Sequence, residues 1–225
     1  MHHAVKISFY FLAVAVASLA GVSRAQAFEL KLLLLDAQEN AVVGAVIELN
    51  DATEAATPTA TPAMPVAIMD QVERRFVPMV LLIEVGQAVD FPNSDNVRHH
   101  VYSFSAIKQF STPLYADESI EPIVFDKPGI AVLGCNIHDS MAAYVYVSQA
   151  AHRGISDEGG HLRLADLPSN PGTVSVWHPW LQTPDNRLAI DVSAFADGAQ
   201  VRVELPVQSP DNRFGFRALS PKPSK

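Results

Sequence analysis

The sequence contains a single cysteine, Cys135, so no intramolecular disulfide can form. Positive charge is also scarce, because 16 Lys and Arg residues face 24 Asp and Glu residues for a net charge of −8. Without a basic stripe to neutralise phosphates, we do not expect nucleic acid as a partner. Charged residues amount to only 18% of the 225 and apolar residues to 48%, which excludes a wholly disordered chain.

Long helical patterns and several common catalytic motifs are missing as well. The sequence has no phosphate loop, no CxxC pair and no Ser-His-Asp signature. It consists instead of short apolar runs separated by Pro, Gly, Asn and Asp, with 16 prolines in all. This pattern predicts an all-β fold, either a sandwich or a barrel. The predicted strands include Val42–Leu49, Val77–Val85, Ile130–Gly134, Ala142–Val147 and Thr173–Trp177.

Residues 1–27 have the features of a secretory signal peptide. They contain a positive start at Lys6, an apolar run over residues 7–22 and a small-x-small cleavage site at Ala25-Gln26-Ala27. An uncleaved membrane anchor is the alternative, but the apolar run is shorter than the ~20 residues that a span requires. Cleavage removes Lys6 and Arg24 and no acid, which changes the net charge from −8 to −10. We therefore expect an exported, periplasmic protein with no stable membrane span.

Composition divides the rest of the chain into five stretches. Three of them have strand patterns, one is rich in Ala, Thr and Pro without periodicity, and the last has little apolar pattern. The predicted units are an N-terminal β segment at 28–51, a linker at 52–65, a β-rich domain at 66–148, a C-terminal β segment at 149–207 and a flexible tail at 208–225.

The lone cysteine lies in a short loop between two predicted strands, followed by His138 and Met141. A thiolate, an imidazole and a thioether at the spacing Cys-x2-His-x2-Met are ligands that copper favours. A single cysteine in an oxidising compartment also needs protection, which metal binding provides. The alternatives at these positions are a buried, unreactive Cys135 and a Met141 that only fills the core.

Another ligand is expected from the segment that enters an upstream strand, where two histidines are adjacent. Side chains alternate along a strand, so only one of His99 and His100 can face the loop. The arrangement predicts His99, Cys135 and His138 as a trigonal ligand set, with Met141 as a weak axial ligand.

These residues resemble those of the cupredoxins, the small blue-copper proteins. The Asn-x5-His pattern from Asn93 to His99 looks like the loop of their first ligand, and its register selects His99 over His100. The Cys-x2-His-x2-Met spacing is similar to that of the plastocyanin- and amicyanin-like members, and residues 66–148 also resemble proteins labelled as methylamine utilisation proteins. The resemblance covers less than half of the chain and implies a Greek-key β-sandwich with one type 1 copper ion.

The same resemblance implies a role for Asn93, whose side chain is expected to tie the loop of the first ligand to the cysteine loop. One departure from the family is Asn136-Ile137, which stands where several relatives have a proline between Cys and His. The departure leaves the ligand residues intact and affects the stiffness of the loop.

A copper ion with three strong ligands and one weak ligand has no open position for a substrate, so we expect one-electron transfer and not an enzyme. The expected partner is a periplasmic redox protein such as a cytochrome c or a quinoprotein dehydrogenase, in amine oxidation for example. The histidine that leads to a second copper in copper enzymes is missing, because Gly134 and Asn136 flank Cys135. A copper carrier or storage protein is the alternative, although such proteins normally have Met-rich or His-rich clusters.

The flanking segments carry a second resemblance. Residues 36–47 and 156–168 resemble the opening hairpin and a later turn and strand of carboxypeptidase-regulatory-like (transthyretin-type) sandwiches. We therefore expect both flanks to fold together as one small β-sandwich, with the cupredoxin-like unit inserted between them. The segment Trp177-His178-Pro179-Trp180 is either a docking platform or aromatic step for the electron, or ordinary packing of large rings at a strand end.

Overall fold

The computed structural model describes residues 28–49, 64–116 and 120–208. The predicted signal peptide, residues 52–63 of the predicted linker and the predicted tail from residue 209 lie outside the described residues. Within the described ranges no helix is long and apolar enough to cross a membrane. Regular structure in these ranges consists of 17 strands and one short 3-10 turn at Pro184–Asn186, which confirms the all-β prediction.

The strands are numbered in chain order. They are β1 (Phe28–Leu35), β2 (Val46–Leu49), β3 (Ala67–Ile68), β4 (Asp70–Val72), β5 (Arg75–Val77), β6 (Val80–Glu84), β7 (Ala88–Asp90), β8 (Val101–Ser105), β9 (Lys108–Ser111), β10 (Ile123–Val124), β11 (Gly129–Cys135), β12 (Ala142–Ser148), β13 (Arg153–Ile155), β14 (His161–Leu167), β15 (Thr173–Trp177), β16 (Arg187–Asp191) and β17 (Gln200–Glu204).

The central part of the chain contains a five-stranded sheet in the order β6-β12-β11-β8-β9 and a three-stranded sheet in the order β10-β7-β3. Alternating apolar residues of both sheets, such as Val89 on β7 and Val145 on β12, are buried in one hydrophobic cluster. Strands β11 and β12 pair antiparallel from Gly129↔Val147 to Gly134↔Ala142. This register leaves residues 136–141 as a short loop at one end of the sheet.

The flanking segments pair with each other. Strand β1 lies between β14 and β17, and β2 lies between β13 and β15 in a four-stranded sheet that ends with β16. Strand β1 runs antiparallel to β14 and parallel to β17. Their buried side chains, among them Leu32, Ile47 and Val176, form a second hydrophobic cluster. Segments before and after the central part therefore build one pair of sheets around a common core.

A third, smaller cluster joins these two parts. It consists of the buried side chains of Val46 and Trp177 from the flanking sheets and of Val80 and Tyr146 from the central sheet. Next to it, the Tyr146 hydroxyl donates a 2.7 Å hydrogen bond to Glu48 on β2. The contact between the parts therefore combines apolar packing with a polar network.

Candidate metal centre

The candidate site lies at the loop between β11 and β12. Cys135 is the last residue of β11, is 3% exposed, and pairs with Val101 of the neighbouring β8. A hydrogen bond of 2.9 Å from the Met141 backbone N–H to the His138 carbonyl closes the loop into a tight turn. Both ends of the loop are thus fixed by sheet hydrogen bonds, so the thiol has a defined position.

His99 lies against this loop from the upstream segment. Its backbone makes two hydrogen bonds with Tyr115, each of 2.9 Å, and its side chain is completely buried. The His99 Nδ1 atom lies 3.7 Å from Cys135 Sγ. The Nε2 atom of the adjacent His100 lies 2.8 Å from the Ser111 hydroxyl oxygen. The structure therefore brings His99, and not His100, to the cysteine.

His138 supplies the third donor. Its Nδ1 atom lies 3.9 Å from Cys135 Sγ, and its ring centre lies 4.9 Å from that of His99. Desolvation by burial, together with the nearby His99 and Arg74, lowers the pKa of His138 below its usual value of 6.5, although Asp95 acts in the opposite direction. The shift favours the neutral imidazole, whose lone pair can bind a metal.

The three donors fit a single metal ion. The Sγ atom and the two imidazoles offer ligand atoms that all lie within 4.8 Å of one another. Bond lengths of about 2.3 Å to sulfur and about 2.05 Å to nitrogen place S and N about 3.5–3.8 Å apart around one tetrahedral or trigonal ion. The S···N separations of 3.7 and 3.9 Å are close to this range. A thiolate with two imidazoles in a trigonal set is the ligand type of blue copper.

Met141 is the last residue of the cysteine loop, directly before β12. Its side chain is 2% exposed and belongs to the same hydrophobic cluster as Cys135. The cluster places the thioether in the interior at the end of the cysteine loop. This position is compatible with the predicted weak axial ligand and also with simple packing.

Asn93 does not have the contacts that the family resemblance implied. Its side-chain amide donates to the carbonyls of Val97 at 2.9 Å and Tyr115 at 3.1 Å, and its oxygen accepts from the Asp95 backbone N–H at 3.0 Å. These bonds close its own loop and join it to Tyr115, the backbone partner of His99. Asn93 therefore braces the His99 segment, and among the described residues its side chain makes no hydrogen bond to the cysteine loop.

Asp95 is a residue of the site that the sequence analysis missed. Its carboxylate lies 2.8 Å from His99 Nε2. Burial raises the pKa of Asp95, but hydrogen bonds from the Arg74 backbone N–H, His99 and the Glu73 backbone N–H outweigh this effect and lower it below the usual value of 3.8. The spacing Asp-x3-His was visible in the sequence. It could have indicated that a carboxylate orients the ligand.

A buried polar network holds Tyr115, the backbone partner of His99, in place. The Gln71 side chain donates to the Tyr115 hydroxyl at 2.6 Å, and this hydroxyl donates to the Phe91 carbonyl at 2.6 Å. Burial raises the pKa of Tyr115 to about 12, so the hydroxyl keeps its proton. The network fixes Tyr115 and, through its backbone pairing, His99.

The aromatic segment at the end of β15 lies in the contact between the two parts. Trp177 is 3% exposed, and its ring centre lies 5.3 Å from that of Tyr146 and 5.7 Å from that of Tyr144. His178 is also buried. Burial and ring contacts of this kind agree with ordinary packing of large rings at a strand end, the second of the two interpretations of this segment.

No protein-family model and no curated protein matches the chain. Several solved structures are similar to part of it. A copper-containing nitrite reductase from Thermus scotoductus SA-01 is 28% identical over 41% of this chain, with a TM-score of 0.36, and only 24% of that enzyme is covered. A purple cupredoxin from Nitrosopumilus maritimus is 24% identical over 36% of this chain and 99% of its own length, with a TM-score of 0.33. A reduced variant of amicyanin is 21% identical over 40% of this chain and 88% of its own length, with a TM-score of 0.35.

Proposed function

We propose that the protein binds one copper ion through His99, Cys135 and His138, with Met141 as a weak axial ligand, and carries single electrons between redox partners. The observation that supports this most strongly is the convergence of the two Nδ1 atoms on Cys135 Sγ, at 3.7 and 3.9 Å. Copper in such a site supplies reversible one-electron chemistry between its two oxidation states.

The surrounding residues suit electron transfer better than catalysis. Cys135 and His99 are buried in the β framework and shield the site from water, while His138 is half-buried and reaches the surface. Strand pairing on both sides of the loop holds the donors in one arrangement, so little movement accompanies a change of charge. Gly134 and Asn136 flank the cysteine and provide no histidine for a second copper.

The surface near His138 favours a protein partner. The neighbouring Ile137 is 49% exposed and offers an apolar contact. The net charge of −8, or −10 without residues 1–27, would steer a basic partner toward the protein. We infer a periplasmic redox protein, such as a cytochrome c or a quinoprotein dehydrogenase in amine oxidation, as the partner. The predicted signal peptide at residues 1–27 supports export to the periplasm.

We also propose the domain division that the sequence indicates. The copper domain consists of residues 66–148. Residues 28–51 and 149–207 together form a transthyretin-type sandwich, so the copper domain is inserted between its two segments. The pairing of β1 with β14 and β17, and of β2 with β13 and β15, supports this division.

A copper titration of protein made without residues 1–27 tests the function. We expect one copper(II) ion per chain, an intense blue colour from thiolate-to-copper charge transfer, and reversible bleaching on one-electron reduction. The Cys135→Ser variant should lose this colour completely because no thiolate remains.

Two adjacent histidines provide a matched pair of variants for the same experiment. His99→Gln should lose or strongly change the colour, whereas His100→Gln should keep it, since His100 contacts Ser111. A colourless protein that takes up only copper(I) would instead indicate a copper carrier. Colour that persists in Cys135→Ser would exclude the assigned site.

A further inference from the structure

The hydrogen bond between His99 and Asp95 determines which nitrogen of the ring carries the proton. An ionised carboxylate only accepts hydrogen bonds, so Nε2, 2.8 Å from Asp95 Oδ2, is the donor. Nδ1 then keeps its lone pair, and Nδ1 is the nitrogen that lies 3.7 Å from Cys135 Sγ. The carboxylate therefore holds the ring in the tautomer that a metal requires.

The Asp95 carboxylate itself is held by the two-residue turn of a small hairpin. Strands β4 and β5 are joined by two residues, Glu73 and Arg74. The Glu73 backbone N–H donates to Asp95 Oδ1 at 2.6 Å, and the Arg74 backbone N–H donates to Oδ2 at 2.8 Å. With the His99 ring, three donors converge on one carboxylate whose side chain is only 10% exposed.

The backbone of this turn is strained. Glu73 and Arg74 have φ values of +52° and +59°, in the left-handed region that two-residue hairpin turns reach most easily with Asn-Gly. Side chains as large as Glu and Arg persist there only where the surrounding structure requires the conformation. Here the conformation directs two backbone N–H groups at Asp95.

The base of the same hairpin is tied to the loop that carries Asp95. The Ser94 hydroxyl donates to Asp70 at 2.7 Å, and the Ser94 backbone N–H donates to the Gln71 carbonyl at 3.0 Å. The hairpin thus contacts the loop at both of its ends. Such a double attachment limits the movement of the carboxylate.

We propose that Asp95 is a positioning residue of the metal centre: the hairpin at residues 70–77 fixes it, it orients His99, and its negative charge favours copper(II) over copper(I). This inference rests on the proposed copper site and assigns to the hairpin a role in setting the reduction potential. A purely structural Asp95 would affect stability and leave the potential unchanged.

The reduction potential of the copper-loaded Asp95→Asn variant tests this role. We expect the copper(II)/copper(I) equilibrium to shift at least about tenfold toward copper(I), a rise of about 59 mV for one electron. Asp95→Glu keeps the charge and should lie closer to the wild type. Asp126→Asn removes an exposed acid from the central part of the chain and serves as the charge control. Equal potentials for Asp95→Asn and Asp126→Asn, in a protein whose wild type is blue, would overturn the inference and leave the proposed function intact.

A measurement on the wild type keeps the test independent of how well the variants fold. In nitrogen-15 spectra of the diamagnetic copper(I) protein, the His99 Nε2–H should be resolved and exchange with water much more slowly than the ring N–H of His138. Exchange at the same rate in both rings would show that the Asp95 bond is absent and would overturn the inference. A protein that takes up no copper at all would overturn the proposed function and this inference with it.

Discussion

Cys135 and His99 lie in the interior, whereas His138 reaches the surface, and this difference divides the work of the site. With the proposed copper ion bound, the buried pair would shield it from water, and the half-buried ring of His138 would provide a short route between the ion and a partner.

Replacement of Met141 by Leu tests the weak axial ligand. Leu has a similar volume, so the fold should tolerate the change, and the blue colour should persist because the thiolate remains. Loss of the thioether weakens the axial donor, so we expect the reduction potential to rise. The measurement is a redox titration followed by absorption.

Met69→Leu is the matched control for this variant. Met69 is fully buried in the same hydrophobic cluster, so its replacement probes packing without removing a ligand. An unchanged potential in Met141→Leu, equal to that of Met69→Leu, would remove Met141 from the ligand set.

Strand alternation allows only one of His99 and His100 to face inward, and in the structure His99 is the buried one. The partners of Asn93 and Asp95 were not accessible in this way. Both are set by a loop that folds against Tyr115 and against the hairpin turn at Glu73, and these contacts have no periodic signature. The grouping of His99, Cys135 and His138 could be anticipated because the chemistry of these residue types is specific, whereas the supporting contacts depend on loop geometry.

At the scale of elements, strands β11, β12 and β15 match their predicted positions because each is rich in β-branched, aromatic or other apolar residues and is bounded by turn residues. Two predicted strands were too long. The run at 77–85 is interrupted at Pro78, which has no N–H for a ladder, and β6 begins only at Val80. The run at 42–49 begins as a strand only at Val46, since Gly44 has a φ of +79°. Very short strands such as β3 and β13 are too brief for a pattern.

His178, which follows β15, should make the stability of the fold depend on pH. His178 is 2% exposed and lies 3.2 Å from the Val43 carbonyl through Nε2. Burial lowers the pKa of His178 from 6.5 to about 4, against the hydrogen bond to Val43, which raises it. The unfolded chain therefore takes up this proton at a higher pH than the folded chain does. The stability that His178 contributes is present above about pH 6.5 and is lost as the pH falls toward 4.

Denaturant unfolding of the metal-free protein at pH 7, 5.5 and 4 measures this effect. The shift corresponds to about 3 kcal/mol in the free energy of unfolding across the window. His178→Gln should lose this part of the pH dependence, and His161→Gln, at an exposed histidine, should retain it. The same loss of stability on acidification in wild type and His178→Gln would contradict the prediction.

At the scale of the whole molecule, the contact between the central sheet and the flanking sheets determines whether the chain unfolds as one unit. The Tyr146 hydroxyl donates to Glu48 at 2.7 Å and accepts from Arg187 at 2.8 Å. Removal of this hydroxyl in Tyr146→Phe leaves a partly buried carboxylate and guanidinium short of a partner. We expect a loss of about 1–3 kcal/mol in the free energy of unfolding. Chemical denaturation measures it.

Tyr144→Phe is the control, since the Tyr144 ring packs on the same Trp177 while its hydroxyl takes no part in the Glu48 network. This variant should unfold almost like the wild type. Equal effects of the two substitutions would show that only ring packing, and not the polar network, stabilises the contact.

The pairing between flanks could be anticipated from two degenerate motifs, but not its register. Strand β1 pairs with residues more than a hundred positions away, and its neighbours β14 and β17 run in opposite directions. A strand pattern gives the face of each strand and not its partner, so the order of strands in a sheet follows only from the packing of the whole chain.

Copper K-edge X-ray absorption of the copper-loaded protein tests the proposed site most directly, because it counts the ligand atoms around the ion. We expect one short copper–sulfur distance and two imidazole nitrogens for the wild type, with the sulfur lost in Cys135→Ser. A first shell of nitrogen and oxygen alone in the wild type would contradict it.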